Sequence, residues 1–228
     1  MGTIELLRDH SETALKLALE ENLLQYVKTS VLPEEDVLDS GEVFRWYCGS
    51  NMLLRNWVLN PKFTSENAYL KVKEQMDYFK KRKVTFLWWN GPSAEPSNLG
   101  EVMRDAGMMK FELPPRSGDM VLDIRNSGEM EKNLTEIMDK TGIQIRKIRS
   151  MEDIKEGVQL AIKTGGFSEK FRQPGEKSCE LMIKEDPDVN VLVGYVAYLD
   201  NTPVSISTVF YGAGVAGLYS VGTLKKLK

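Results

Sequence analysis

Tyr195-Val196-Ala197-Tyr198-Leu199-Asp200-Asn201-Thr202-Pro203-Val204-Ser205, followed by Gly212-Ala213-Gly214-Val215-Ala216-Gly217-Leu218-Tyr219-Ser220-Val221-Gly222-Thr223-Leu224, decides how this chain folds. Apolar and β-branched residues fill Val191 to Leu199, Val204 to Phe210 and Val215 to Thr223. The joints between them, Asp200-Asn201 and Gly212-Ala213-Gly214, are made of residues that accept tight turns. Three strands so closely joined predict an antiparallel meander.

Working back from the meander, Ile143 to Ile148 reads as a strand, and Ser150-Met151-Glu152-Asp153 as the capping box of a helix. Ile154, Val158, Ala161 and Ile162 share one face of that helix, and Gly165-Gly166 ends it. A second helix is expected at about 176 to 185, stopped by Pro187. Residues 125 to 141 are polar and weakly periodic, which reads as a linker and places a boundary near 140. The expected division is therefore 1–140 and 141–228.

The first part begins with a helix capped by Ser11, with Ala14, Leu15, Ala18, Leu19 and Leu23 at helical spacing until Pro33. Residues 42 to 48 and 52 to 59, separated by Gly49-Ser50-Asn51, read as a hairpin with Trp46 and Trp57 in the core. Ser65 is expected to cap a helix that buries Tyr69, Val72, Met76 and Phe79, leaving Lys71, Lys73, Lys80, Lys81 and Arg82 as a solvated face. Val84-Thr85-Phe86-Leu87-Trp88-Trp89 is continuously apolar, which predicts a central strand buried on both faces. Ser97 opens a short helix closed by Gly107, and Met120 to Ile124 reads as a further strand. The fold class is thus mixed α and β, in two lobes.

Composition narrows the function. Thirty Lys and Arg against 33 Asp and Glu leave a formal charge of -3, so bulk charge offers no attraction to nucleic-acid backbones or anionic membranes. No apolar run approaches the ~20 residues of a membrane helix, the N-terminus lacks a signal peptide, and Leu6 stands where a myristoylation signal needs Ser or Thr. A cytoplasmic location with free thiols at Cys48 and Cys179 is expected. The lone histidine, His10, cannot complete a metal site with those cysteines, so no metal is expected. No nucleophile elbow, Walker loop, HExxH or GxGxxG is present, and acid–base work falls to carboxylates, tyrosines or water.

The order strand, helix, helix, three antiparallel strands, carried by residues 195–205 and 212–224, resembles the front half of a GNAT-superfamily N-acetyltransferase. The segment Phe86 to Ser93, with Leu99-Gly100-Glu101-Val102 and Ala106-Gly107-Met108, resembles a later strand and helix of the same family. This implies a degenerate GNAT-like lobe at 1–140 ahead of the front half of an active one at 141–228, with a mostly antiparallel sheet flanked by helices. The resemblance implies acetyl transfer from acetyl-CoA to an amine, without a metal. It also implies that Tyr219, Ser220, Val221, Gly222 and Thr223 line the acyl-CoA site, where the family's strand splays from its neighbour and offers backbone groups to the pantetheine arm and thioester. The sequence stops at Lys228, where the family's pyrophosphate loop is expected to begin, so the second lobe reads as incomplete.

Alternatives stay open at several points. The 219–223 segment can be ordinary strand, and the chain a non-catalytic binding module whose exposed strand edge pairs with a second copy. Phe167 and Trp88 are candidates for the substrate pocket, although packing explains each of them as well. The strands at 84–89 and 215–223 can belong to one continuous sheet or to two.

Overall fold

The computed structural model describes residues 6–110, 121–124, 127–164, 167–184 and 191–225, less the side chains of 181–184. The chain forms two compact units, residues 9–117 and residues 1–8 with 118–228.

In the 9–117 unit, α1 (Glu12–Thr29) starts where predicted, because Ser11 holds extended backbone and its Oγ accepts from the Ala14 N–H at 3.3 Å. Strands β1 (Asp36–Asp39), β2 (Phe44–Tyr47), β3 (Asn56–Leu59) and β4 (Leu87–Trp88) form a sheet in that order. β2 and β3 are the predicted hairpin, antiparallel with Trp46 opposite Trp57 and Phe44 opposite Leu59. A 3₁₀ turn at Leu53–Arg55 replaces the start of the predicted second strand. Buried Asn56 stabilises that turn: its amide donates to the carbonyls of Ser50 and Thr85, and its Oδ1 accepts from the Cys48 N–H.

Two expectations for this unit are corrected, and one strand was not foreseen. The run 84–89 contributes only the short β4, which pairs parallel to β3 and has no further neighbour among the described residues, so it is not a central strand. Its apolar side chains are covered by packing instead, with Phe86 stacked on Phe79 at 4.3 Å and Trp88 edge-on to Phe63 at 6.4 Å. The second helix, α2 (Ala68–Lys81), is not capped by Ser65: Thr64 and Asn67 exchange side-chain-to-backbone bonds of 3.0 and 3.3 Å that set its entry. β1 went unforeseen, since Asp-Val-Leu-Asp carries no buried face of its own and becomes a strand by pairing with β2. Helix α3 (Leu99–Asp105) is followed by Gly107 at φ +95°, the left-handed position predicted for it.

In the other unit, α4 (Gly128–Thr141) occupies the polar stretch read as a linker, and ends at Gly142 with φ +70°. Val121 to Ile124 are exposed and form no strand; Met120 lies outside the described residues, as do Gly165, Gly166 and Pro187. Then follow β5 (Gln144–Lys147), α5 (Met151–Lys163), α6 (Arg172–Lys184), β6 (Leu192–Leu199), β7 (Thr202–Gly212) and β8 (Val215–Thr223). The predicted meander is present, and β5 adds to it in the antiparallel order β5-β6-β7-β8. Asp200 and Asn201 turn at φ +50° and +57°, Ala213 and Gly214 at +51° and +74°, the positive pair that tight hairpins require. The capping box is closed from both sides, Ser150 Oγ accepting from Asp153 N–H at 3.2 Å and Asp153 Oδ2 from Ser150 N–H at 2.9 Å. β4 belongs to the sheet of the 9–117 unit and β8 to the sheet of the other unit.

The 9–117 unit buries an ion pair. Arg55 donates to Glu35 Oε1 at 2.8 Å, and Glu35 Oε2 also accepts from Trp46 Nε1 at 2.9 Å and the Leu32 N–H at 2.8 Å. The two side chains are 3% and 5% exposed, so removing one charge strands the other out of water. Glu35→Ala is expected to cost about 3–5 kcal/mol, read as a lower urea midpoint for this unit, whereas a double replacement by apolar residues of matched volume costs far less.

Candidate functional site

The 219–223 segment lies in β8, at the edge of its sheet among the described residues. Its pairing with β7 is regular from Val215 to Tyr219, then slips: Thr208 faces Tyr219, while Ile206 faces Gly222. Two steps along β7 match three along β8, so Ser220 and Val221 form a bulge opposite Ser207 without partners in the ladder. Ser220 sits at φ +51°, a left-handed conformation that a serine adopts at a cost of roughly 1–2 kcal/mol.

Hydroxyls of β7 hold the bulge on both sides. Thr208 Oγ1 donates to the Tyr219 carbonyl at 3.0 Å, and Ser205 Oγ donates to the Gly222 carbonyl at 2.9 Å while lying 3.0 Å from Thr223 Oγ1. The backbone between these clamps is therefore displaced from the sheet yet fixed at its ends. Ser205 and Thr208 were not singled out from the sequence; a run of hydroxyl residues, Ser205, Ser207 and Thr208, inside an apolar strand was the available signal.

The end of β8 meets the end of α5. A Cβ built on Gly222 would lie 2.4 Å from Thr164 Oγ1 and 2.8 Å from Thr164 Cβ, so the strand passes within contact of the residue that caps α5. Thr164 cannot swing clear without loss, because its hydroxyl donates to the Ala161 carbonyl at 3.0 Å. Just beyond, Phe167 stacks on Phe171 at 3.9 Å, and Gly175 of α6 leaves room for the Phe171 ring. Phe167 and Leu224 both pack on the cluster of Leu160, Ala161, Val196, Tyr198 and Ile206. Phe167 and the Gly222 end of the 219–223 segment thus each lie against the C-terminal part of α5, Phe167 on the cluster that holds Leu160 and Ala161, and Gly222 against Thr164. Trp88 belongs to the 9–117 unit, packed in its core with Phe63.

Open surface accompanies the bulge: Leu218 and Val221 are each 69% exposed. Nearby in the core, the Tyr198 hydroxyl donates to Glu156 while the Arg146 guanidinium lies 4.3 Å from the ring. Burial first, and then the Glu156 carboxylate, push the Tyr198 phenol up to about 12. Tyr198 is accordingly a protonated donor holding α5 to β6. Among the described residues no group of three or more His, Cys, Asp and Glu is placed to hold a metal ion, and no helix is long and apolar enough to cross a membrane.

No family model matches the sequence, and no curated protein matches it. Solved structures do. A GCN5-related N-acetyltransferase from Kribbella flavida superimposes with a TM-score of 0.57, covering 96% of this chain and 75% of that one at 15% identity. A conserved protein of unknown function from Staphylococcus epidermidis matches with a TM-score of 0.45, covering 87% of this chain and 75% of that one at 13% identity. The fold is that of the GNAT N-acetyltransferases.

The contact between α5 and β8 is testable by filling it. Gly222→Ala drives a methyl into the anchored Thr164 and is expected to cost about 1–3 kcal/mol. Gly157→Ala, whose Cβ would meet only the Cδ1 methyls of Ile148 and Ile206 at 3.0 and 3.2 Å, is expected to be near neutral, since the displacement of those two methyls is offset by alanine's preference for the helix of about 1 kcal/mol. Urea denaturation followed by circular dichroism reads both.

Proposed function

We propose that this protein is an N-acetyltransferase of GNAT type that moves an acetyl group from acetyl-CoA to a small amine. One observation carries the reading: the β8 bulge at Ser220-Val221, clamped by Ser205 and Thr208 on the edge of a sheet with this fold. An unpaired, rigidly held stretch of strand backbone is what an extended pantetheine arm needs, because its amides can pair as an added strand does.

In this reading the roles divide by position. Backbone between Tyr219 and Thr223 aligns the arm and presents an N–H to the thioester oxygen. The acceptor approaches from the loop after α5, where Phe167 contributes an apolar wall. The amine nitrogen attacks the thioester carbonyl carbon, giving a tetrahedral oxyanion that the strand N–H stabilises. The carbon–sulfur bond then breaks, the CoA thiolate leaves, and the proton lost by the amine passes to water or to the thiolate. No covalent enzyme intermediate is needed, so the absence of nucleophile motifs does not weigh against the assignment.

Isothermal calorimetry with acetyl-CoA and with free CoA is the test. Binding in the micromolar range is expected, weakened about tenfold in the Ser205→Ala/Thr208→Val double variant, which releases both clamps while leaving the β7–β8 ladder. No detectable heat with either ligand would overturn the proposal and turn attention to a non-catalytic binding role.

A further inference from the structure

The 9–117 unit carries a charged cleft that the acetyltransferase reading does not use. Its walls are Arg45, Glu74, Asp77, Tyr78, Lys81 and Arg82, around a volume of about 300 Å³. That is the lower end of the range for small-molecule sites. Arg45 comes from β2 and the other five from α2 or the residue after it.

The cleft is built around one aromatic ring. The Arg45 guanidinium lies 3.5 Å from the centroid of Tyr78, and the Arg82 guanidinium 3.6 Å from it. Each contact is a favourable cation–π interaction, but they concentrate two positive charges on one phenol. A single carboxylate answers them: the Tyr78 hydroxyl donates to Asp36, which also lies 3.7 Å from Arg82. Burial and the Asp36 hydrogen bond push the Tyr78 phenol up to about 12, so the hydroxyl remains a donor and Asp36 remains engaged.

Arg45 is left over. Its Nη1 donates to the neutral Gln75 Oε1 at 3.2 Å, its Nε is buried with no hydrogen-bond partner, and no carboxylate pairs with it among the described residues. Gln75 is itself only 1% exposed, so the guanidinium is partly withdrawn from water on that side. Lys81, further along the same wall, also has no ion-pair partner among the described residues. A half-desolvated guanidinium lacking a counter-charge attracts an anion more strongly than a surface lysine does, because the surrounding dielectric is lower.

We infer that this cleft binds a compact anionic group, a phosphate or a carboxylate, held by Arg45 with support from Lys81. Glu74 and Asp77 on the same wall temper the field, so the site favours a small anion over a highly charged one. The inference rests on the 9–117 unit alone and is independent of how β8 is used.

Calorimetry of the full chain at low ionic strength, with inorganic phosphate and separately with succinate, tests it. Saturable binding of either probe supports the site and tells which anion it prefers; no saturable binding of either overturns it. Arg45→Lys keeps the charge but loses the planar fork, and is expected to weaken binding about tenfold. The exposed pair Glu74→Gln/Asp77→Asn removes repulsion and is expected to tighten binding about threefold. Unchanged affinity in the folded Arg45→Lys variant, or in the double variant should Arg45→Lys not fold, would also overturn the proposal.

Discussion

The close approach of α5 to its sheet is the constraint on which the candidate site depends. It is tightest at Gly222 of β8, where an added Cβ would meet Thr164, and is close at Gly157, where one would meet Ile148 and Ile206. Into the space so gained pack Ile154, Val158, Leu160 and Ala161, all buried. Fully burying an aliphatic side chain is worth roughly 1.5–3 kcal/mol, so this face outweighs the unfavourable helix propensity of Gly157, about 1 kcal/mol. The helix end, at Thr164, is thereby fixed against the strand end at Gly222.

The two units solve the problem of polar groups differently. In the unit with β8, hydroxyls on β7 reach across to carbonyls of the next strand, neutral bonds worth roughly 1 kcal/mol each that act mainly on local geometry. In the 9–117 unit, charges are brought inside: Glu35 and Arg55 are paired and further bonded, while Arg45 is stacked on an aromatic ring without a carboxylate. In the first arrangement each ion's desolvation is offset at least in part by its partner. The second has no such partner among the described residues, and that difference separates a structural pair from a site.

Much of the fold was legible because local chemistry and tertiary structure agree. The turns at Asp200-Asn201 and Ala213-Gly214, the capping box at Ser150 and the left-handed Gly107 are all fixed by residues a few positions apart. What was not legible depends on partners distant in sequence. An apolar run such as 84–89 reports that its side chains are covered, and says nothing of how many neighbours its backbone has; β4 is covered by Phe79 and Phe63 while pairing on one side only among the described residues. β1 exists through β2 and carries no pattern of its own. The bulge is invisible for the same reason, since a strand with one residue too many looks like any strand until its register is known.

That invisibility bears on how function is encoded here. Direct transfer from a thioester to an amine asks for alignment and for a donor facing the developing oxyanion, and backbone N–H groups supply both without any particular side chain. A sequence with one histidine and no nucleophile motif is then unremarkable for the proposed chemistry, because the chemistry would be carried by strand geometry. The side chains to which such a site is sensitive are those shaping the backbone: Ser205 and Thr208, which clamp the bulge, and Gly222, whose missing Cβ lets the strand lie against Thr164. None of them bears a charge or a reactive atom in the usual sense. A search for catalytic motifs passes over Ser205 and Thr208, and a search for where the ladder breaks finds them.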